Sequence, residues 1–299
     1  MTDIKDLIAS SNSNKKAEQE MKRDDYVALV YKAHPDLEET DKAIVSARAT
    51  RFMAVLDNNE VEQRHCESLE KQLLDKRKRI LDRYDIDPSF DAVKTVCDRC
   101  NDTGYFTNKR GMMQVCPCRQ EDVEECYRLS GMGDYTLVRL DNYKDDYFDN
   151  GPHRAQLRKK LSEIIIDKDK SLDHYLWILN DGAQTGKTFL AIYSLKLAVN
   201  LAKSVYYIKL DDLMGIYDDE LDDLKECDIL VVDDYIASIT MSGMVGTRLN
   251  NILETRLATG LVTVIVTSFE PASLISESDV RIAGKLKAAG RINSDKGNK

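Results

Sequence analysis

The C-terminal half of the sequence predicts an α/β fold with a parallel sheet. Short apolar runs alternate there with stretches of helical periodicity, the pattern of buried parallel strands whose faces are covered by helices. A Gly-Lys-Thr triplet follows the first of these runs. A cluster of four cysteines precedes this half, and helical stretches precede the cysteines. We therefore expect a helical domain, a cysteine module with a linker, and an α/β domain, at residues 1–90, 91–134 and 135–299.

Charge and hydropathy limit the classes of function. The 299-residue chain has a net charge of −9, which argues against a protein coated in nucleic acid but leaves room for a local basic channel. The N-terminal stretch lacks the apolar core of a signal peptide, and no run reaches the roughly 20 apolar residues that span a bilayer. We expect a cytoplasmic protein that does not associate with membranes.

Three helices are expected before the cysteines. The first twenty or so residues are polar and predict a loose tail, after which a helix starts near Asp24 and ends at His34-Pro35. A second helix carries Ile44 and Phe52. The third ends before Asp87-Pro88, because the residue before a proline avoids the helical region. Their apolar stripes fit a small bundle core, a surface that docks a partner, or both.

The cysteine segment has the spacing of a metal site. Cys97 and Cys100 are separated by two residues, and Cys116 and Cys118 follow fifteen residues later, separated by one. Two such pairs on tight turns can hold a tetrahedral zinc ion. The segment contains little that could form a core without metal. Unrelated buried thiols or a redox pair are the alternatives. The other cysteines, Cys66, Cys126 and Cys227, fit packing positions.

A phosphate-binding loop follows the apolar run 175–180. The consensus is G-x-x-x-x-G-K-[ST], and this chain retains its last three positions, with Asp181 in place of the first glycine. The glycine lets the backbone approach phosphates, the lysine neutralises their charge, and the threonine can bind Mg²⁺. We therefore expect ATP and Mg²⁺ as ligands. The predicted loop residues are Asp181, Gly182, Ala183, Gln184, Thr185, Gly186, Lys187 and Thr188.

A pair of aspartates ends a later apolar run. Asp233 and Asp234 follow Ile229–Val232, 46 residues after Lys187. A buried strand would bring Asp233 to the sheet edge beside the phosphate loop, where it would hold Mg²⁺, and Asp234 would polarise the attacking water. The alternative is a strand that meets an acidic loop, since residues 211–234 contain 11 acidic side chains and one lysine.

Several stretches resemble one family of ATPases. The run 227–238 (CDILVVDDYIAS) resembles a segment of bacterial and phage helicase loaders of the DnaC/DnaI type, which are AAA+ proteins, and of related transposition helper ATPases. So does 255–261 (TRLATGL) leading into 264–268 (VIVTS). The cysteine cluster is also found in these loaders, and residues 129–132 (LSGM) look like their linker into the ATPase domain. The resemblance covers roughly residues 95–290.

The resemblance implies further site residues. In the family an asparagine after Thr-Ser contacts the γ-phosphate side, and Phe269 stands there in this chain. The role then passes to Thr267 or Ser268, or it is lost. The stretch 279–286 looks like the closing helix, from which an arginine finger reaches the neighbouring subunit. Lys285 occupies the finger position and Arg281 lies one turn earlier. Lysine lacks the planar fork of arginine.

The function implied by this resemblance is ATP-dependent loading of a hexameric replicative helicase onto DNA. The N-terminal helices would bind the helicase, the ATPase domains would self-assemble, and single-stranded DNA is a further expected partner. The departures from the family pattern suggest a version encoded by a phage or mobile element, acting in the host cytoplasm. Two alternatives stay open: a transposition helper ATPase, which generally lacks the zinc module, and an adaptor that binds nucleotide with little hydrolysis.

Overall fold

The computed structural model describes residues 3–141, 144, 151–166, 173–181, 185–241 and 243–293. Contacts divide the chain into two compact units, residues 12–96 and residues 1–11 together with 97–299. The boundaries expected at 90 and 134 stay predictions. Within the described parts, none of the helices is long and apolar enough to cross a membrane.

The helices of the N-terminal part are α1 (Ile4–Ala33), α2 (Pro35–Leu56) and α3 (Glu60–Tyr84). Pro35 occupies the first turn of α2, where a missing N–H costs nothing. The side chain of Asn59 caps α3 by accepting a hydrogen bond from the Glu62 amide. The core of unit 12–96 is small, comprising Val30, Leu37, Ile80, Leu81 and Phe90.

The loose tail expected before Asp24 is wrong. Helix α1 begins at Ile4, and the side chains of Ile4 and Ile8 are almost fully buried. Both belong to the core that also contains Val115 and Val123 of the second unit. Two isoleucines four residues apart share one helix face, and their burial outweighs the polar sequence around them.

The cysteine segment forms a hairpin followed by a short helix. Strands β1 (Tyr105–Thr107) and β2 (Met113–Val115) pair antiparallel. A single 3₁₀ turn after β2 leads into α4 (Gln120–Tyr127). Residues 128–132 then make an irregular turn, so the expected linker directly follows this helix.

The second unit is built on a five-stranded sheet in which every neighbouring pair is parallel. The strand order is β4-β5-β6-β3-β7, which confirms the parallel α/β fold. Its strands are β3 (Leu176–Asn180), β4 (Val205–Lys209), β5 (Ile229–Asp233), β6 (Val262–Thr267) and β7 (Gly290–Ile292). The first four match the apolar runs of the sequence, whereas the three-residue β7 gave no such signal.

Helices cover both faces of this sheet, as buried parallel strands require. One apolar core includes side chains of α5 and α6, and a second core on the other face includes side chains of α7, α9 and α11. The helices after the hairpin are α5 (Gly151–Ile166), α6 (Lys187–Asn200), α7 (Asp218–Glu226), α8 (Ala237–Thr240), α9 (Met244–Thr259), α10 (Pro271–Glu277) and α11 (Val280–Lys287).

Arg256 joins these layers through a fully buried guanidinium group. It donates hydrogen bonds to the Thr263 hydroxyl (2.8 Å) and to the carbonyl oxygens of Leu224 (2.9 Å), Cys227 (2.7 Å) and Val262 (2.6 Å). A buried cation is tolerated only when its donors find acceptors. The side chain therefore ties the end of α9 to the end of α7 and the start of β6.

We predict that Arg256→Met destabilises the second unit by about 2–4 kcal/mol, because it leaves several buried carbonyls without a donor. The measurement is chemical denaturation followed by the fluorescence of Trp177, the single tryptophan, which lies in β3. As a matched control, Arg128→Met removes a guanidinium that is 64% exposed and should change stability by less than about 0.5 kcal/mol. Equal effects of the two substitutions would contradict the prediction.

Candidate functional site

A cavity of about 770 Å³ opens at the carboxyl ends of the strands. Because parallel strands end at the same sheet edge, residues distant in sequence meet there. Residues 185–188 of the phosphate loop, the aspartate pair and the end of β6 all line this cavity. Its wall includes Thr185, Gly186, Lys187, Thr188, Asp233, Asp234, Thr267 and Ser268.

The described part of the phosphate loop has the geometry of an anion site. Gly186 has a φ of +77° immediately before α6, a conformation that favours glycine. The N-terminus of α6 lines the cavity, so the positive end of the helix dipole lies at this site. Lys187 is mostly buried, and this burial lowers its pKa, while Asp181 and Asp233 act in the opposite direction. Gly182, Ala183 and Gln184 lie outside the described residues.

Asp233 is buried at the end of β5 and accepts three hydrogen bonds. Its Oδ2 accepts from the Thr188 hydroxyl (2.7 Å) and from the Tyr207 hydroxyl (2.9 Å), and its Oδ1 accepts from the Asp234 amide (2.8 Å). A threonine hydroxyl and a carboxylate at this distance are hard oxygen donors of the kind that Mg²⁺ prefers. The residues present therefore fit a magnesium ion beside the phosphate loop.

Asp234 follows with an unusual backbone conformation. Its φ is +52°, which turns the side chain away from the strand, and its carboxylate lies 3.9 Å from the Lys209 ammonium. Desolvation, followed by the negative charge of Asp233, raises the pKa of Asp234. A carboxylate with a raised pKa at the cavity wall is a stronger base toward a bound water.

The end of β6 contributes a hydrogen-bonded loop. The Thr267 hydroxyl donates to the Tyr235 carbonyl (2.9 Å) and accepts from the Phe269 amide (3.2 Å). Asn180, at the end of β3, donates to the Phe269 carbonyl (2.7 Å). The Thr267 hydroxyl is thus engaged within the loop, and Thr267, Ser268 and Phe269 all line the cavity.

The two cations expected to act on a neighbouring subunit lie away from this cavity wall. The Lys285 ammonium donates to Asn250 Oδ1 (2.8 Å) and Glu254 Oε1 (3.2 Å). The Arg281 guanidinium pairs with Asp279. Both side chains are therefore engaged within their own subunit.

The residues that the sequence analysis missed include Tyr135 and Lys209, which line the cavity, and Tyr207, whose hydroxyl donates a hydrogen bond to Asp233. Alternation along β4 places Tyr207 and Lys209 on the same face as Val205, and strand pairing puts Lys209 opposite Asp233. The alternation of side chains along β4 could therefore have indicated Tyr207 and Lys209 from the sequence. Tyr135 carried no signal, because its place at the cavity depends on the irregular turn before it.

The four expected metal ligands come together. The thiols of Cys97, Cys100, Cys116 and Cys118 lie within 4.8 Å of one another, with Cys97–Cys116 and Cys100–Cys118 sulfur distances of 3.7 and 3.6 Å. Tetrahedral zinc with Zn–S bonds of about 2.3 Å requires sulfurs about 3.8 Å apart. Asp102 Oδ1 accepts a hydrogen bond from the Cys97 amide and fixes the first knuckle.

The order of the parallel strands, with a phosphate loop after β3, defines a P-loop α/β fold. The chain also has a four-cysteine cluster able to hold a metal ion, and a separate helical unit. No family profile and no curated protein matches the sequence. Similar solved structures include DnaI (TM-score 0.42, 16% identity, 52% of this chain and 89% of that one) and the DnaC helicase loader (0.41, 18%, 54% and 98%). Another is AMPPCP-bound DnaA from Aquifex aeolicus (0.42, 18%, 51% and 50%), of which this chain spans about half. Values this low assign no activity to this chain.

We predict that the thiol cluster holds about one metal ion per chain, as a four-sulfur structural site does. The measurement is elemental analysis of protein purified under reducing conditions. Cys97→Ser should lose the metal, whereas Cys66→Ser, which alters a buried cysteine of the other unit, should keep it. Metal content near zero in the wild-type protein, or unchanged in Cys97→Ser, would rule out the site.

Proposed function

We propose that this protein is an ATP-dependent loader that binds a hexameric replicative helicase and delivers it to DNA during replication initiation. The observation that carries the proposal is the meeting of Lys187, the bonded pair Thr188–Asp233, and Asp234 at one cavity. Those are the parts that nucleotide hydrolysis by this fold requires. The sequence resemblance to helicase loaders supplies the partner.

In the proposed reaction, the N-terminus of α6 and the Lys187 ammonium bind the phosphates of ATP, together with the loop residues 181–186. Thr188 and Asp233 hold Mg²⁺, which neutralises phosphate charge when bound. Asp234 orients the attacking water and accepts its proton, a role supported by its raised pKa. Ser268, which also lines the cavity, donates a hydrogen bond on the γ-phosphate side.

The metal of the cysteine module is proposed to be zinc. Four thiolates favour zinc over the harder cations, and the sulfur distances fit its radius. The hairpin buries few apolar side chains of its own, so the ion would supply much of its folding free energy.

Residues 12–96 are proposed to bind the helicase. Around the end of α2 and the start of α3, five large apolar side chains are more than half exposed: Phe52, Met53, Val55, Leu56 and Val61. Exposed apolar clusters commonly mark sites of protein association. Self-assembly through the ATPase domain, contact with single-stranded DNA, encoding by a phage or mobile element, and a cytoplasmic location in the host belong to the same proposal.

A hydrolytically weak adaptor is the second candidate. Lys285 is bonded to Asn250 and Glu254 of its own subunit, and the Phe269 ring stands where the family has an asparagine. An adaptor of this kind would bind ATP and the helicase without turnover.

The deciding experiment is steady-state ATP turnover, with and without helicase and single-stranded DNA. We predict stimulated turnover in the wild-type protein, loss of nucleotide binding in Lys187→Ala, and intact binding without turnover in Asp234→Asn, because the lysine binds phosphate and the carboxylate activates water. Asp222→Asn, at an exposed carboxylate on α7, is the control that should behave as wild type. Equal affinity in wild type and Lys187→Ala would exclude the phosphate-loop assignment. Binding without stimulated turnover in the wild type would favour the adaptor.

We further predict that Lys285→Ala lowers helicase-stimulated turnover while leaving nucleotide affinity nearly unchanged, because the charge would act on the neighbouring subunit. Lys285→Arg should raise turnover, since a guanidinium donates two hydrogen bonds to phosphate. Lys287→Ala removes an exposed lysine from the same helix and serves as the control. If turnover is unchanged in both Lys285 variants, the same assay on Arg281→Ala tests the other candidate.

A further inference from the structure

A chain of hydroxyl groups runs from the turn after α4 to the carboxylate at the cavity. The Tyr135 and Tyr207 hydroxyl oxygens lie 2.7 Å apart, and the Tyr207 hydroxyl donates to Asp233. We propose that Tyr207 and Tyr135 are positioning residues that orient Asp233 toward Mg²⁺ and connect this carboxylate to the segment 129–135. The inference rests on the nucleotide-binding part of the proposed function.

The proton order along this chain follows from the acceptor at its end. An ionised carboxylate only accepts hydrogen bonds, and a tyrosine hydroxyl has one proton to donate. The Tyr207 hydroxyl therefore donates its proton to the hydrogen bond with Asp233, and in the second hydrogen bond the Tyr135 hydroxyl donates to Tyr207.

The hydrogen bonds on Asp233 fix the rotation of its carboxylate. Oδ2 takes donors from α6 and β4, while Oδ1 takes the amide of the next residue. A hydrogen bond from Thr188 alone would fix Asp233 Oδ2 from one direction only. The second donor, from a strand that pairs directly with β5, holds the group in the orientation in which Thr188 can offer a lone pair to a metal ion.

Tyr135 is itself held by the elements that form the cavity. The Lys196 ammonium of α6 donates to the Tyr135 carbonyl (2.7 Å), and the Tyr135 ring meets Phe189 of the same helix edge to face, with centroids 6.4 Å apart. Gly131, with a φ of +79°, lies so close to β4 that an added Cβ would overlap the Tyr207 carbonyl oxygen. The segment 129–135 therefore sits tightly against both α6 and β4.

A buried tyrosine hydroxyl usually has a hydrogen-bond partner simply because burial requires one. A positioning role for Tyr207 must therefore be tested against a tyrosine of the same strand that does not contact Asp233. Tyr206 provides the internal comparison. It is the next residue on β4, and its side chain packs against the apolar core on the other face of the sheet, whereas Tyr207 belongs to the first core. Tyr206→Phe thus removes a hydroxyl from the same strand without touching Asp233.

The test uses the full-length protein and a fluorescent, non-hydrolysable ATP analogue. Affinity is measured without Mg²⁺ and then as Mg²⁺ is added. Tyr207→Phe should raise the Mg²⁺ concentration that gives the half-maximal gain in affinity by roughly tenfold, the effect expected when a hydrogen bond to a charged group is lost. Affinity without Mg²⁺ should match that of Tyr206→Phe.

The second half of the chain is tested by Tyr135→Phe, alone and combined with Tyr207→Phe. Because Tyr135 acts through Tyr207, the single variant should shift the Mg²⁺ dependence in the same direction by a smaller factor, about threefold. The double variant should match Tyr207→Phe, since coupled groups are not additive. Additive shifts would remove Tyr135 from the proposal.

Three outcomes overturn the inference. A Mg²⁺ dependence in Tyr207→Phe equal to that of Tyr206→Phe leaves the nucleotide site intact and removes the positioning role alone. A loss of Mg²⁺-free affinity together with thermal stability in Tyr207→Phe identifies a packing role instead. A wild-type protein that fails to bind the analogue at all refutes the proposed nucleotide site, and the inference falls with it.

Discussion

The buried carboxylate of Asp233 is the constraint around which the second unit is organised. An unpaired charge at that depth would be strongly unfavourable, so donors must converge on it from α6, β4 and its own backbone. Those donors are correctly placed only if β4 and β5 pair in register and α6 starts at Lys187. The strand order brings the hydrogen-bond donors together around Asp233. In turn, any arrangement of the sheet that moved these donors away would leave a buried charge unpaired and would be less stable.

The sequence predicts the parts whose chemistry is local. Four strands of the sheet are visible as apolar runs because parallel strands are buried on both faces. The spacing of Cys97, Cys100, Cys116 and Cys118 predicts two turns whose thiols can bind one ion. In the structure the four sulfur atoms lie within 4.8 Å of one another. Lys187 and Asp233 are recognised because the loop and the strand end each carry a characteristic pattern, and a parallel sheet brings such ends to one edge.

What the sequence does not reveal depends on tertiary contacts. Ile4 and Ile8 stand in a polar stretch, and their side chains are buried in a core made by residues far along the chain. Tyr207 looks like any residue of a β-rich run until strand pairing sets it beside Asp233. The partners of Lys285 lie 31 and 35 residues earlier in the chain, at a spacing that no local pattern encodes. In each case the missing information is a contact between distant segments.

The burial of Ile4 and Ile8 has a consequence for how the chain can be divided. Residues 1–11 and 97–299 form one compact unit, so the stretch 12–96 is joined to that unit by a covalent junction at each end. A fragment cut near residue 90 would carry two isoleucines stripped of their core and would tend to aggregate through them. Exchange of residues 12–96 between related proteins would instead require joints near Ser11 and Cys97, which leave the first helical turns in place to complete the second unit.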